Sequence, residues 1–335
     1  MKIKNILAAF SALLLISGHV AAAPFSTLYA FGDSLSDVGS SDSAVMSLYK
    51  TLGNNCDPSH LCPPYDDGRL SNGPVASEYL AGSLFPSGVT VANFRSYAVA
   101  GANSGDSNSG FNPGGLLNLP GIKQEVGNYL EDAQGKADPN ALYFLWGGAN
   151  DYVGGDPAAT AAQNIAGYVS TLAGAGAKNI LVPNLADLSL TPFGQDDAVQ
   201  AHAFSLTFNS ELATQLGNVQ HEFPNTHIFS FDSYSLLNDV VQHADKYGFT
   251  NASDPCLTAL FPCGNPDHHV WWDDFHPTTR AHEIIGTAFA TAVPEPEVVS
   301  MLIAGLVLLG FAGAKSRRGD GQPGRGRAGK LGVWA

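Results

Sequence analysis

Basic side chains are scarce in the body of this 335-residue chain: between residues 24 and 293 it carries eight Lys and Arg against 27 Asp and Glu, a net of −19. A surface that acidic repels phosphate backbones and anionic bilayers, which excludes nucleic acid and anionic membranes as main partners. The whole chain is less negative, at −14, because the other eight basic residues sit at its two ends. Cysteine is scarce too. The four residues form two local pairs, Cys56 with Cys62 and Cys256 with Cys263. Neither pair has the tight C-x-x-C spacing of zinc sites. Asp267-His268-His269 stands alone, with no further cluster at ligand spacing, and reads as an exposed loop. No metal and no organic cofactor is expected. Charge-free apolar runs long enough to approach a membrane span are missing from the body and occur only near the termini. What is present, 44% hydrophobic residues with 37 Gly and 20 Pro, describes a packed globular core interrupted by many turns.

At the N-terminus Lys2 and Lys4 precede an apolar stretch from Ile6 to Ile16 and then Val20-Ala21-Ala22-Ala23. A basic start, a short apolar core and small residues before a cut make residues 1–23 a secretory signal peptide, with signal peptidase as the processing partner. Export makes disulfides plausible for the four cysteines, with three connectivities open on spacing alone. At the other end Val293-Pro294-Glu295-Pro296 is followed by an apolar segment from Val298 to Ala314 and by Lys315-Ser316-Arg317-Arg318. Seventeen apolar or small residues barely span a bilayer, and the basic cluster would stay on the cytoplasmic side. This order, over residues 294–318, resembles the PEP-CTERM sorting signal of bacterial surface proteins, and the resemblance implies recognition and cleavage by an exosortase. An ordinary tail anchor is the other reading. Residues 319–335 form a tail. The expected localisation is exported, in the periplasm, at the cell surface or outside, with the C-terminal helix a transient anchor.

Between these ends, short β-rich apolar runs alternate with longer helix-like stretches. The expected strands are 27–31, 91–99, 141–146, 179–182 and 227–231. The expected helices are 75–84, 122–132, 158–172, 198–223, 234–244 and 278–291. Strands separated by helices call for an α/β fold: a doubly wound, flavodoxin-like, mostly parallel five-stranded sheet flanked by helices. With no internal repeat or linker, residues 24–293 read as one domain whose cleft lies at the carboxyl ends of the strands. Two loops are long for such a fold, 56–72 and 103–120.

Chemistry-bearing residues gather at those strand ends and just ahead of the last helix. The run Phe31-Gly32-Asp33-Ser34-Leu35-Ser36-Asp37 reads as a strand passing through a tight turn into a helix start, with the Ser34 hydroxyl held out on the turn. In Trp271-Trp272-Asp273-Asp274-Phe275-His276-Pro277, one turn brings the Asp273 carboxylate to one imidazole nitrogen of His276 and leaves the other for a serine. Asp274 is the weaker competitor for that imidazole. After the apolar strand ending at Trp146, Asn150 either aims its amide at an oxyanion or caps the helix that follows. Gly101, after the strand through Val99, offers a backbone N–H to the same oxyanion. Asp33 and Asp37 read as helix-start carboxylates that order the turn.

The order Gly32-Asp33-Ser34-Leu35, Gly101, Gly148-Ala149-Asn150-Asp151 and Asp273 to His276 resembles the GDSL branch of the SGNH hydrolases, with all four family blocks in sequence. Residues 67–74, Asp-Gly-Arg-Leu-Ser-Asn-Gly-Pro, and 182–185, Val-Pro-Asn-Leu, agree with it. The resemblance implies Ser34 as nucleophile, His276 as base, Asp273 as its partner, and the Ser34 N–H, Gly101 N–H and Asn150 side chain as oxyanion donors. It also accounts for the missing G-x-S-x-G elbow. The expected activity is that of an exported serine esterase or lipase cleaving carboxylic esters of lipids or other acylated molecules through a covalent acyl-Ser34 intermediate. An O-acetyl esterase of surface polysaccharide and a catalytically silent surface binding or matrix protein are the alternatives.

Overall fold

A computed structural model of the chain describes residues 25–39, 65–110, 119–259 and 261–293. The expected signal peptide, C-terminal sorting segment and tail lie outside the described residues, as do Cys56, Cys62 and, of the two long loops, residues 56–64 and 111–118.

Residues 23–293 form one compact unit. Its sheet has five strands, β1 (Leu28–Gly32), β2 (Phe94–Ser96), β3 (Leu142–Trp146), β4 (Asn179–Pro183) and β5 (His227–Phe231). They lie in the order β2-β1-β3-β4-β5, and every pairing is parallel. This is the doubly wound arrangement expected from the alternation of strands and helices. β3 is central and buried at all five positions, so it reads as an unbroken apolar run rather than an alternating one. Its residues feed two cores. Tyr143 and Leu145 pack with Phe31, Ile165, Val182 and Phe208 on one face, and Leu142, Phe144 and Trp146 pack with Leu80, Ile285 and Phe289 on the other. Each fully buried side chain of that size contributes about 1.5–3 kcal/mol.

The first face is covered by α2 (Ile122–Asp132), α4 (Ala158–Ala175) and α6 (Ala198–Glu222), and the second by α1 (Ala76–Leu84) and α8 (Thr279–Ala290). α3 (Ala149–Gly154) directly follows β3, α5 (Pro192–Gln195) is a single turn, and α7 (Ser233–Gln242) follows β5. Side chains fix these starts. Thr278 Oγ1 accepts the Ala281 N–H, and Glu78 and Gln124 reach back to the Val75 and Gly121 N–H groups.

Three departures from the sequence reading have local causes. β2 is three residues, not nine: the Thr90 N–H is taken by Asn93 Oδ1 and the Phe94 N–H by the Thr90 carbonyl, so 90–93 is a turn, with Val91 exposed. The chain after Ser34 makes one turn and, within the described residues 33–39, no helix. Asp37 turns its carboxylate back onto the Gly39 N–H, and Gly39 takes a left-handed φ of 69°. A small antiparallel hairpin, β6 (Leu257–Thr258) with β7 (Phe261–Pro262), was not expected. It is closed by a disulfide between Cys256 and Cys263, which selects this local pairing from the open connectivities.

Candidate active site

In a sheet ordered 2-1-3-4-5, the chain leaves β1 toward one side and β3 toward the other, which opens a crevice at their carboxyl ends. Ser34 follows β1 and Asn150 follows β3, so the two face the same crevice from adjacent strands. Gly32 makes the sharp exit possible. Its φ is +146°, and a Cβ there would lie 2.0 Å from the Trp146 carbonyl oxygen.

The loop between β7 and α8 brings the base. His276 Nε2 lies 2.9 Å from Ser34 Oγ, a contact across 242 residues of sequence, and His276 Nδ1 lies 2.9 and 2.8 Å from the two Asp273 carboxylate oxygens. With a carboxylate on Nδ1, the proton resides there and the Nε2 lone pair faces the serine hydroxyl. Asp273 Oδ1 also accepts the backbone N–H groups of Phe275 and His276, at 2.8 and 2.7 Å. Asp274 is exposed and uses its backbone carbonyl to accept the Phe193 N–H, so Asp273 is the imidazole's partner.

Electrostatics reinforce the pair. Burial alone would push the Asp273 carboxyl upward, but the His276 charge, the His276 hydrogen bond and the two backbone donors outweigh it and hold the acid at about 2. Burial alone would pull His276 down. The charge and hydrogen bond of Asp273, with a further push from Asp33, reverse that and place the imidazole above its ordinary range.

The Ser34 and Gly101 backbone N–H groups have no acceptor among the described residues. Gly101 adopts a φ of +80°, and a Cβ would come 2.4 Å from the Gly110 nitrogen, so only glycine turns the amide this way here. Asn150 is the second residue of α3, whose N-cap is Gly148; the capping role for Asn150 is therefore excluded. Its Nδ2 donates one hydrogen bond to the Ala102 carbonyl at 3.2 Å, which fixes the amide beside Gly101 and leaves the second N–H available.

Buried carboxylates hold these pieces in register, and one of them, Glu125, went unnoticed in the sequence. Its Oε2 accepts the Gly32 N–H at 2.8 Å and its Oε1 the Val99 N–H at 3.1 Å, which ties the nucleophile turn to the segment after β2 that leads to Gly101. Burial raises the Glu125 carboxyl well above its ordinary value despite those two donors. The signal was an acid on the apolar stripe of α2 formed by Ile122, Val126 and Tyr129. Asp37 accepts the Ala100 N–H at 2.8 Å, and Asp151 accepts both the N–H and the hydroxyl of Ser104. Asp33 donates no chemistry in this arrangement; its Oδ1 accepts the Leu35 N–H, while burial lifts the carboxyl to about 6.

Beside the crevice lies a cavity of about 50 Å³ whose walls are apolar and include Leu35, Trp146, Leu188, Leu237, Trp271 and Phe275. Two of its lining residues, Leu35 and Phe275, are the sequence neighbours of Ser34 and His276.

In this arrangement an imidazole held by a carboxylate faces a serine hydroxyl beside N–H donors that have no acceptor among the described residues. Residues 28–289 match the family model described as GDSL-like Lipase/Acylhydrolase. A GDSL esterase/lipase of Arabidopsis thaliana is 25% identical over 320 residues, covering 79% of this chain and 79% of its own length. The phosphatidylcholine-sterol acyltransferase of Aeromonas hydrophila is 27% identical over 322 residues, covering 80% of this chain and 90% of its own. Among solved structures, a member of the lipolytic G-D-S-L family from Veillonella parvula covers 80% of this chain and 97% of its own at 15% identity, with a TM-score of 0.44.

Proposed function

The chain belongs to the GDSL-like lipase/acylhydrolase family of carboxylic ester hydrolases, and from this premise we propose that it cleaves its esters through an acyl-enzyme on Ser34. The observation that carries the reading is the continuous chain Asp273–His276–Ser34, with hydrogen-bond distances of 2.8 Å and 2.9 Å. His276 Nε2 takes the hydroxyl proton as Ser34 Oγ attacks the ester carbonyl. The charge that develops on the carbonyl oxygen is met by the Ser34 and Gly101 N–H groups and the Asn150 amide. Collapse expels the alcohol, protonated by His276, and leaves the acyl-serine. Water, deprotonated by the same imidazole, then attacks the acyl carbon and releases the acid and the free serine.

The apolar cavity favours an acyl chain longer than acetyl, because a two-carbon acyl group would leave its Leu, Trp and Phe walls unfilled. That ranks a lipase or short-to-medium-chain esterase above an O-acetyl esterase of surface polysaccharide. The test is the rate of p-nitrophenyl ester hydrolysis as a function of chain length. A maximum between butyrate and octanoate that disappears in Ser34→Ala supports the reading, and a maximum at acetate returns the choice to the polysaccharide esterase.

Export is part of the proposal. The apolar, basic-flanked N-terminus and the Cys256–Cys263 disulfide are what support it, since disulfides persist in oxidising compartments. Cleavage near Ala23 by signal peptidase and near the 294–296 motif by an exosortase would release residues 24–293. Mass spectrometry of the mature protein tests both, and retention of residues 298–314 would contradict the processing.

A further inference from the structure

The Asp273 carboxylate has a partner that no sequence pattern marks. Tyr65, 208 residues away, donates its hydroxyl to Asp273 Oδ2 at 2.7 Å. With that bond, both carboxylate oxygens are held: Oδ1 by the Phe275 and His276 N–H groups, Oδ2 by the Tyr65 hydroxyl, and the His276 ring lies against both. Tyr65 is itself fixed. Its ring packs edge-on to Trp272, centroids 6.2 Å apart at 82°, and Trp272 in turn packs with Leu257 and the Cys256–Cys263 disulfide. The segment that follows Tyr65 bonds to the end of the same turn and to the start of α8. Ser71 Oγ donates to the Pro277 carbonyl at 2.9 Å, and Asn72 Oδ1 accepts the Thr279 N–H at 2.8 Å. Residues 65–72 therefore hold the turn that carries Asp273 and His276 at three points.

We propose that Tyr65 is a positioning residue, whose hydroxyl orients the Asp273 carboxylate and tempers its pull on the His276 proton. This rests on the reading of Ser34, His276 and Asp273 as the reacting set. A hydrogen bond to a carboxylate stabilises its charge and so lowers the field it exerts on its neighbour. Tyr65 thus restrains the proton affinity that Asp273 gives His276, keeping the base neutral and functional over a wider pH range. The other groups facing the imidazole are Asp33 on the turn after β1, which raises its proton affinity, and the buried His282 on α8, whose Nδ1 accepts the Ala76 N–H. The exposed Asp274 neighbours both the tyrosine and the histidine. None of these is altered by removing one hydroxyl.

Tyr65→Phe keeps the ring on Trp272 and deletes only the donor, so it separates proton control from packing. The expected result is an upward shift of the His276 pKa, measured by NMR titration of its ring, by on the order of half a unit or more. The acidic limb of kcat/KM for a p-nitrophenyl ester should move with it, with kcat reduced three- to thirtyfold and KM nearly unchanged. Replacing Tyr65 by 3-fluorotyrosine, a stronger donor, should move both in the opposite direction. An unmoved His276 pKa in a folded Tyr65→Phe protein overturns the proposal, whether or not activity changes. Because the titration needs no turnover, an enzyme lacking Ser34-dependent hydrolysis would contradict the reading of the site without deciding the role of Tyr65.

Discussion

His276 Nε2 stands 2.9 Å from Ser34 Oγ while Asp273 Oδ2 stands 2.8 Å from Nδ1 of the same ring. This geometry sets a pH requirement. Attack needs the neutral imidazole, and the Asp273 charge holds its pKa above the ordinary value. The acidic limb of kcat/KM is therefore expected above about pH 6.5, the unperturbed histidine value. Asp273→Asn should lower kcat by roughly a thousandfold to ten-thousandfold and move that limb downward, as read from a pH–rate profile.

The contribution of three buried groups to stability should run the opposite way. His276, Asp33 and Glu125 all have raised pKa values in the folded chain. For each, the protonated form is favoured by folding, so its contribution is complete below the unfolded pKa and lost as pH rises through the folded one. Asp33, lifted from 3.8 to about 6, alone corresponds to on the order of 3 kcal/mol. Asp273, held at about 2, acts in the reverse sense and loses its contribution only as pH falls toward that value. The buried His282, held at about 3, also acts in the reverse sense, its contribution growing as pH rises toward about 6.5, so the sign is tested on Asp33 alone: Asp33→Asn is expected to remove a fall in melting temperature between pH 4 and pH 6, by comparison of the two proteins in differential scanning calorimetry.

Asn150→Ala should reduce kcat by about a hundredfold or more, because one oxyanion donor is removed from a site that excludes water. KM and the melting temperature should change little, since the single bond to the Ala102 carbonyl is the structural cost. Steady-state kinetics beside a thermal melt separates the two effects.

Glu125→Gln replaces one acceptor oxygen by an NH2 group facing either Gly32 N–H or Val99 N–H. A donor left against a donor in a buried site costs about 1–3 kcal/mol. The expected outcome is a lower melting temperature together with a lower kcat, because the strained link is the one that sets Gly101 against the nucleophile turn.

Narrowing the cavity tests which part of the ester it receives. Leu188→Trp adds bulk to its wall. Hydrolysis of the octanoyl ester is expected to fall at least tenfold relative to the acetyl ester, a loss within the range that pocket contacts supply.

The strands and the residues at their ends were legible because both are local. An apolar run followed by glycine and small polar residues marks a strand end, and Ser34, Gly101 and Asn150 each sit past such a boundary, while the Asp273–His276 turn precedes the last helix. The sheet order then places the first three in one crevice. What could not be read depends on contacts across the chain. Glu125 reaches Gly32 over 93 residues and Tyr65 reaches Asp273 over 208, and neither has a neighbour in sequence that hints at its partner. The misread β2 has a different cause: Val91 favours strand, but the hydrogen bonds of Thr90 and Asn93 close a turn around it. The helix expected after Ser34 likewise gave way to side-chain acceptors, with Asp33 and Asp37 binding backbone N–H groups two residues on.

The central claim is that Ser34 is the nucleophile, activated by His276. The most direct measurement is intact-mass and peptide mapping after exposure of the folded protein to a fluorophosphonate. One adduct per chain, on Ser34, absent in Ser34→Ala and strongly slowed in His276→Ala, is the predicted result. A folded protein that hydrolyses esters yet carries the adduct elsewhere, or carries none, would contradict it.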